Sequence, residues 1–211
     1  MQPIAAPSVG QLDIWWETLG SSAESLRPKG ARGILEGVLA RYGHFAPLVR
    51  DDHGKPRSTD TRGLTFNLSH SGDRAVVAVS TVAAVGVDCE SVRPIDDFLA
   101  VAELTFSPPE RAHLAALPPL DRLLKFYSLW TRKEAVAKGI GLGLAYPLVD
   151  LPVLAPHEHV PFPVEAPGQG TWWVCSIPAA NGFIAACASQ RPFEVRYRSD
   201  LNGRPISNVF D

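Results

Sequence analysis

The chain of 211 residues is poor in cysteine and methionine, and neither sign of charge dominates it. Its three cysteines (Cys89, Cys175 and Cys187) are odd in number and lack metal-ligand spacing, which argues against a disulfide framework or a zinc site. We therefore expect buried free thiols in a reducing cytoplasm. A net charge of −2 argues against a general nucleic-acid binder, whose phosphate contacts need clustered lysine and arginine.

Long apolar runs are also lacking. The longest weakly polar run, Ala75 to Val87, is too short to span a bilayer and is interrupted by Ser80, Thr81 and Gly86. No basic stretch followed by an apolar core marks a signal peptide at the N-terminus. We therefore expect a cytoplasmic protein without membrane contact. With 45% hydrophobic and 20% charged residues, the composition is that of a globular protein.

Periodicity and turn residues predict short strands interspersed with helices, and hence an α+β fold. A hairpin pattern over residues 66–80 recurs over residues 173–189, which suggests two similar halves packed pseudo-symmetrically around a cleft. We predict an N-terminal half at 1–104, a C-terminal half at 105–190 and a polar tail at 191–211. The other predicted strands are at 12–16 and 85–90, and the predicted helices are at 28–43, 95–104, 109–117 and 122–139. A turn at 69–73 lies within the first hairpin. The proline-rich stretch at 147–167 is predicted to be extended, and at best an edge strand.

The helix predicted over 122–139 carries a carboxylate where its apolar face should be. The spacing of a buried stripe collects Leu123, Phe126, Tyr127, Trp130 and Ala137 on one side of this helix. Glu134 falls inside the stripe, while Lys133 and Lys138 flank its edges. A carboxylate directed at a core costs several kcal/mol (roughly) unless a positive charge meets it there.

Two further carboxylates share one face of the predicted strand "VGVDCE". Alternation places Val85, Val87 and Cys89 on one side and directs Asp88 and Glu90 to the other, roughly 6.5–7 Å apart. Three carboxylates from a strand and a helix favour Mg²⁺ over Zn²⁺, because magnesium keeps water and phosphate oxygens in its shell. The alternative is that the two strand carboxylates simply end the strand in solvent.

Four motifs together resemble the Sfp-type 4′-phosphopantetheinyl transferases, in the same order and with similar spacing. They are "GKP" (Gly54–Pro56), "FNLSHS" (Phe66–Ser71), "VGVD" (Val85–Asp88) and "FYSLWTRKEAVAK" (Phe126–Lys138). The resemblance covers about residues 10 to 190. It implies a monomer that moves the phosphopantetheine arm of coenzyme A, with Mg²⁺ (or Mn²⁺), to a serine of an apo acyl or peptidyl carrier protein.

The resemblance also implies roles for individual residues. Asp88, Glu90 and Glu134 would hold the metal against the diphosphate of coenzyme A, and Glu134 would act as the base for the carrier serine. Lys138 would bind a diphosphate oxygen. The remaining coenzyme A contacts would come from Arg32 at the 3′-phosphate, from Lys55 and Pro56 along the nucleotide, and from Ser69 and His70 in the predicted turn. Upstream, only Arg27 and Lys29 stand where the family has further basic residues.

Simpler interpretations of the same residues remain open. His70 could cap backbone groups of a turn. Lys138 could be a solvated partner of Glu134 at i, i+4, and Arg32 could be an ordinary surface residue of its helix. Two other classes of protein also fit clustered carboxylates. A Mg²⁺-dependent phosphohydrolase would activate water without a protein partner, and a non-catalytic module would dock carrier proteins without modifying them.

Overall fold

The computed structural model describes residues 3–19, 27–52, 54–60, 63–81, 83–155 and 157–204, without the side chains of residues 27–29 and 120. Its helices are α1 (Arg27–Arg41), α2 (Phe98–Thr105), α3 (Pro108–Ala116) and α4 (Pro119–Ile140). Its strands are β1 (Gln11–Thr18), β2 (Leu48–Arg50), β3 (Pro56–Ser58), β4 (Thr65–Ser71), β5 (Arg74–Ser80), β6 (Val85–Ser91), β7 (Phe162–Ala166), β8 (Gly170–Ile177), β9 (Phe183–Ser189) and β10 (Glu194–Tyr197).

Two four-stranded sheets form the centre of the protein. The N-terminal sheet has the order β10-β1-β5-β4, and the C-terminal sheet has the order β6-β9-β8-β7. Strands β2 and β3 form a separate antiparallel pair. Because β6 pairs with β9, the strand that carries Asp88 and Glu90 is hydrogen-bonded into the C-terminal sheet, across the predicted boundary at residue 104.

The two sheets face each other across an apolar layer, and each outer face is covered by a helix. Ile14 and Val76 from one sheet pack against Val87 and Cys187 from the other. Helix α1 covers the other face of the N-terminal sheet, and α4 covers that of the C-terminal sheet. Burial of these apolar faces is the main source of the stability of the fold. This mixed α+β architecture agrees with the predicted fold class.

Helix α4 lies unusually close to β6 because two glycines face each other at the contact. A Cβ atom at Gly86 would come within 1.8 Å of the carbonyl oxygen of Ala135. A Cβ atom at Gly139 would come within 2.3 Å of the Trp172 ring. Only residues without a side chain fit here, and their close contact fixes the depth at which α4 sits above the strand of Asp88 and Glu90.

Most of the predicted elements occur close to their predicted bounds. The extended stretch at 147–167 contains β7, which is an edge strand as expected. The turn predicted at 69–73 is wrong at its start, because β4 continues through Ser71 and leaves only two residues between the strands. His70 therefore belongs to a strand, where its backbone pairs with that of Ala75 in β5.

Residues 194–197 form a strand that the sequence pattern did not indicate. β10 lies parallel to β1, and its Arg196 donates to both oxygens of the buried carboxylate of Asp13. Arg198 and the hydroxyl of Tyr42 also donate to Asp13. A buried carboxylate on β1 thus fixes the segment that follows β9.

All three cysteines are free and buried, as the sequence predicts. Cys175 and Cys187 face each other on β8 and β9, with their sulfur atoms 3.9 Å apart. No helix within the described ranges is long and apolar enough to cross a membrane.

Candidate active site

The predicted stripe on α4 is buried, and Glu134 lies within it. Its side chain is 6% exposed, and Val136 and Ala137 beside it are fully buried. Burial raises the pKa of Glu134 to about 7, and repulsion from Asp88 and Glu90 adds to the shift, against the attraction of Lys138. Glu134 is thus close enough to Asp88 and Glu90 for their charges to act on it.

Asp88 and Glu90 project from the face of β6 that is turned towards α4, as alternation predicts. Asp88 is 2% exposed. Burial raises the pKa of Glu90, and the negative charge of Asp88 raises it further. Each carboxylate accepts a hydrogen bond from a serine of β4: Ser69 Oγ donates to Asp88 Oδ1 at 2.8 Å, and Ser71 Oγ donates to Glu90 Oε2 at 2.8 Å.

Lys138 supplies a positive charge to this cleft. Its Nζ atom lies 2.5 Å from Asp88 Oδ1 and donates to Ser69 Oγ at 2.9 Å. Burial acts to lower the pKa of Lys138, but the attraction of Asp88 and Glu134 outweighs burial and raises it. The lysine is therefore a cation whose partner is Asp88, rather than the solvated i, i+4 partner of Glu134.

The cleft retains more negative than positive charge. Asp88, Glu90 and Glu134 face Lys138, and the second oxygen of Asp88, Oδ2, is buried without a hydrogen-bond partner among the described residues. As they stand, no three acidic, histidine or cysteine side chains in the described ranges are arranged to ligate one ion. Even so, an unpartnered buried carboxylate oxygen and two carboxyl groups with raised pKa values are the donor set that a hard divalent cation would stabilise.

A cavity of about 430 Å³ opens beside this cleft. Its volume lies within the range of small-molecule binding sites. The wall brings together six of the predicted site residues from both halves of the sequence: Arg32, Lys55, Pro56, His70, Glu134 and Lys138. Basic side chains dominate this group, as expected for a ligand that carries several phosphates. Ser69, Asp88 and Glu90 do not line the cavity, but Ser69 and Asp88 contact Lys138, which does.

Two of the basic residues in the wall also bind protein groups. Lys55 Nζ donates to the carbonyl oxygens of Lys138 and Gly139 at the C-terminal end of α4, at 2.7 and 3.1 Å. Burial, together with the charge of Arg57, lowers the pKa of Lys55 to about 8. Arg32 pairs with Glu36 on its own helix at 2.9 Å and donates to a carbonyl of β2.

Sequence reasoning missed some residues around the cavity. Arg50 on β2 lines the wall, and its place just before the "GKP" motif is the signal that could have identified it. The loop after α4 contributes Gly141, Gly143 and Leu144. The side chains of Arg27 and Lys29 lie outside the described part of the chain.

Lys133, which immediately precedes Glu134 in sequence, is structural. It is fully buried, and its Nζ atom lies 2.9 Å from Glu110 Oε2. It also donates to the carbonyl oxygens of Leu148 and Leu151, at 2.8 and 2.5 Å. The sequence placed Lys133 at the edge of the buried stripe of α4. In the structure it lies in the core, where Glu110 compensates its charge.

Comparisons with known proteins give the family to which this chain is similar. The family model of the 4′-phosphopantetheinyl transferase superfamily matches residues 84–188, which include β6 and α4. A protein of Salmonella typhimurium named 4′-phosphopantetheinyl transferase AcpT is 38% identical over 129 residues, or 59% of this chain and 67% of the relative. The 4′-phosphopantetheinyl transferase HetI of Nostoc sp. is 34% identical over 165 residues, covering 74% of this chain and 68% of the relative. A 4′-phosphopantetheinyl transferase of Bacillus subtilis is 33% identical over 145 residues, covering 67% of this chain and 62% of the relative.

Proposed function

Because the chain belongs to the 4′-phosphopantetheinyl transferase superfamily and is an enzyme of that class, we propose that its donor is coenzyme A and that its acceptor is a serine of an apo acyl or peptidyl carrier protein. The reaction is a displacement at phosphorus. The serine oxygen forms a bond to the β-phosphorus of the diphosphate, its proton passes to a base, and adenosine 3′,5′-bisphosphate leaves.

The basic cavity supports coenzyme A as the donor. Arg32, Lys55, His70 and Lys138 all line it, and Lys138 also contacts Asp88. In this proposal Arg32, Lys55 and His70 bind the nucleotide and its 3′-phosphate, while Lys138 donates to a diphosphate oxygen. Pro56 would contact the nucleotide, and Ser69 orients Lys138 through their hydrogen bond.

The surplus of negative charge supports a divalent metal. We propose that Asp88, Glu90 and Glu134 hold Mg²⁺, which Mn²⁺ can replace. When bound, the metal withdraws electron density from the diphosphate and stabilises the charge on the leaving phosphate. The observation that carries this assignment is the buried, unpartnered Oδ2 atom of Asp88, which lies in the same cleft as two carboxyl groups with raised pKa values.

Glu134 is the group best suited to accept the proton of the serine. Without the metal, burial and the charges of Asp88 and Glu90 raise the pKa of Glu134 to about 7; a bound divalent cation would lower it again, so that Glu134 would be ionised and able to accept a proton. Glu134 also lines the cavity in which the diphosphate would lie. The enzyme needs no nucleophile of its own, because the carrier brings the serine.

Incubation with coenzyme A, Mg²⁺ and a panel of apo acyl and peptidyl carrier proteins tests this function. Intact-protein mass spectrometry should show a carrier mass increased by one phosphopantetheine arm. The gain should disappear when the metal is chelated with EDTA, and also when the carrier serine is replaced by alanine. Adenosine 3′,5′-bisphosphate should form in equal amount.

The same reactions separate the two other classes. Release of phosphate or nucleotide in the absence of a carrier would indicate a phosphohydrolase. Binding of apo carriers without a mass gain, at saturating coenzyme A and Mg²⁺, would indicate a non-catalytic docking module. Either result would contradict the proposed transfer.

A further inference from the structure

The two sheets meet at their edge strands, β4 and β6, through side chains rather than through backbone pairing. Alternate residues of β4 accept hydrogen bonds from alternate amides of β6. Asn67 Oδ1 accepts from the Val87 amide at 3.0 Å, and Ser71 Oγ accepts from the Ser91 amide at 3.0 Å. Ser69 Oγ accepts a longer bond of 3.4 Å from the Cys89 amide. This side-chain ladder satisfies edge amides that would otherwise lack partners in the interior.

The ladder also reaches the carboxylates of the candidate metal site. Ser69 accepts from the Cys89 amide and donates to the Asp88 carboxylate. Ser71 accepts from the Ser91 amide and donates to the Glu90 carboxylate. The serine oxygen is thus fixed by a backbone amide, and its single hydroxyl proton is directed at the carboxylate.

Ser71 differs from Ser69 in one important respect. Ser69 also accepts from Lys138, so a change at Ser69 would alter three partners at once. Ser71 Oγ contacts only the Ser91 amide and Glu90 Oε2 among its hydrogen-bond partners in the described ranges. It is therefore the serine whose effect on a carboxylate can be isolated.

The Glu90 carboxylate is half-buried, and Ser71 Oγ donates to its Oε2 atom at 2.8 Å. Such a hydrogen bond stabilises the ionised carboxylate, which is the form that binds a metal ion. It also selects one orientation of a side chain with three rotatable bonds, which lowers the entropy lost when the carboxylate binds an ion.

We propose that Ser71 is a positioning residue for the divalent metal, which holds the Glu90 carboxylate in place through one hydrogen bond while the Ser91 amide fixes its own hydroxyl. The inference rests on the proposed function, because it requires that Glu90 be a metal ligand. It goes further by assigning metal affinity to a residue that touches neither the metal nor the substrate.

Mn²⁺ binding to the full chain tests the role of Ser71 without measuring turnover. Electron paramagnetic resonance counts free Mn²⁺ at saturating coenzyme A, with no carrier present. Ser71→Ala should weaken the affinity for Mn²⁺ by about 10–100-fold, the usual effect of losing a hydrogen bond to a metal ligand. Ser71→Thr keeps the hydroxyl on a residue that strands accommodate well, and it should restore wild-type affinity.

Thr65→Val is the matched control for a lost hydroxyl on the same strand. Thr65 Oγ1 donates to the carbonyl oxygens of Ser80 and Ala83 and contacts no carboxylate. This variant should bind Mn²⁺ as the wild type does. In a second readout, hydrogen exchange of the Ser91 amide should accelerate in metal-free Ser71→Ala and remain slow in Thr65→Val.

Each outcome is decisive. Equal Mn²⁺ affinities of Ser71→Ala and the wild type would overturn the positioning role while leaving the proposed transferase intact. An equal loss of affinity in Ser71→Ala and Thr65→Val would also overturn it, because the loss would then follow from general damage to β4. If the wild type itself binds no Mn²⁺, the metal site of the proposed function fails, and this inference fails with it.

Discussion

Two lysines of helix α4, Lys133 and Lys138, each pair with a carboxylate of another element, and the two pairs differ in kind. Lys133 and Glu110 are both at most 1% exposed, and their hydrogen-bonding groups are taken up by backbone atoms as well as by each other. Glu110 accepts from the amides of Ser107 and Val153. In the pair of Lys138 and Asp88 the lysine lines a cavity, and one buried carboxylate oxygen has no partner within the described part of the chain.

The difference distinguishes a structural charge pair from a functional one. The first pair is balanced, because one cation meets one anion and each oxygen of Glu110 accepts a hydrogen bond from a backbone amide. At the second pair, Glu90 and Glu134 add negative charge beside Asp88 and Lys138. Burial is the first cause of the raised pKa values of Glu90 and Glu134, and repulsion from Asp88 adds to it. A group of buried like charges with shifted pKa values is typical of a functional site, here one that would bind a cation.

The largest expected effect is on the rate of carrier modification, after a substitution in the cleft of Lys138 and Asp88. Glu134→Gln removes a negative charge without changing shape, so we expect carrier modification to slow by about 10²–10⁴-fold, the usual contribution of a general base. The melting temperature should stay the same or rise, because repulsion within the cleft is relieved. Mass-spectrometric rates and thermal unfolding measure the two effects. Glu165→Gln, an exposed residue on β7, is the control and should change neither. A near-normal rate in Glu134→Gln would contradict its role.

A substitution in the pair of Lys133 and Glu110 should instead reduce the stability of the fold. Glu110→Ala leaves the ammonium of Lys133 buried without an anion, which should lower the free energy of unfolding by about 3–5 kcal/mol. Urea denaturation measures this loss. Should the single variant not fold, the double variant Glu110→Leu/Lys133→Met should, because it replaces both charges with apolar groups. An unchanged stability of Glu110→Ala would show that the pair is not structural.

The pair of Lys138 and Asp88 joins α4 to β6, so a change at Gly86, where these two elements touch, should affect it. The methyl group of Gly86→Ala would overlap the backbone of Ala135 and Gly139, neither of which can rotate away. We expect a loss of about 1–3 kcal/mol in unfolding free energy, or more, together with reduced transfer. Gly33→Ala, a helical position with no atom near the added methyl, should be neutral or stabilising. Equal stability of the two variants would contradict the packing argument.

A third charge cluster offers a smaller, pH-dependent effect. Burial acts to raise the pKa of Glu158, but the hydrogen bond from Lys125 and the charge of Arg132 outweigh it and lower the pKa to about 2. Because the folded pKa lies below the unfolded value, this stabilisation is present above about pH 4.5 and is lost as the pH falls towards about 2. The stability difference between the wild type and Glu158→Gln should therefore shrink over that interval. A constant difference would contradict the assignment.

The sequence predicted those parts of the site that depend on local periodicity. Alternation along β6 placed Asp88 and Glu90 on the face towards α4, and helical spacing placed Glu134 in the buried stripe, because both follow from backbone geometry. The full burial of Lys133 was not predicted, since its partner Glu110 belongs to another helix. The sequence likewise could not reveal the contact of Lys138 with Asp88, 50 residues away, since such pairs arise only when the chain folds.

Other parts escaped prediction for the same reason. The side-chain ladder between β4 and β6 joins residues 20 apart, and no pattern within either strand specifies its partner. Strand β10 was missed because a polar segment of four residues has little periodicity, and its position depends on Asp13, 183 residues before Arg196. The family motifs indicated which residues matter, but not how Ser71 or Lys55 is bonded.

Thermal unfolding in a Mg²⁺ titration tests the central claim most directly, with the wild type, Asp88→Asn and Glu134→Gln compared at saturating coenzyme A. A bound ion stabilises the folded state by about 2.7 kcal/mol at a concentration 100 times its dissociation constant. We predict that Mg²⁺ raises the melting temperature of the wild type and leaves both variants unchanged. Equal shifts in all three proteins, or no shift in the wild type, would contradict the claim that the surplus carboxylates of this cleft bind a divalent ion.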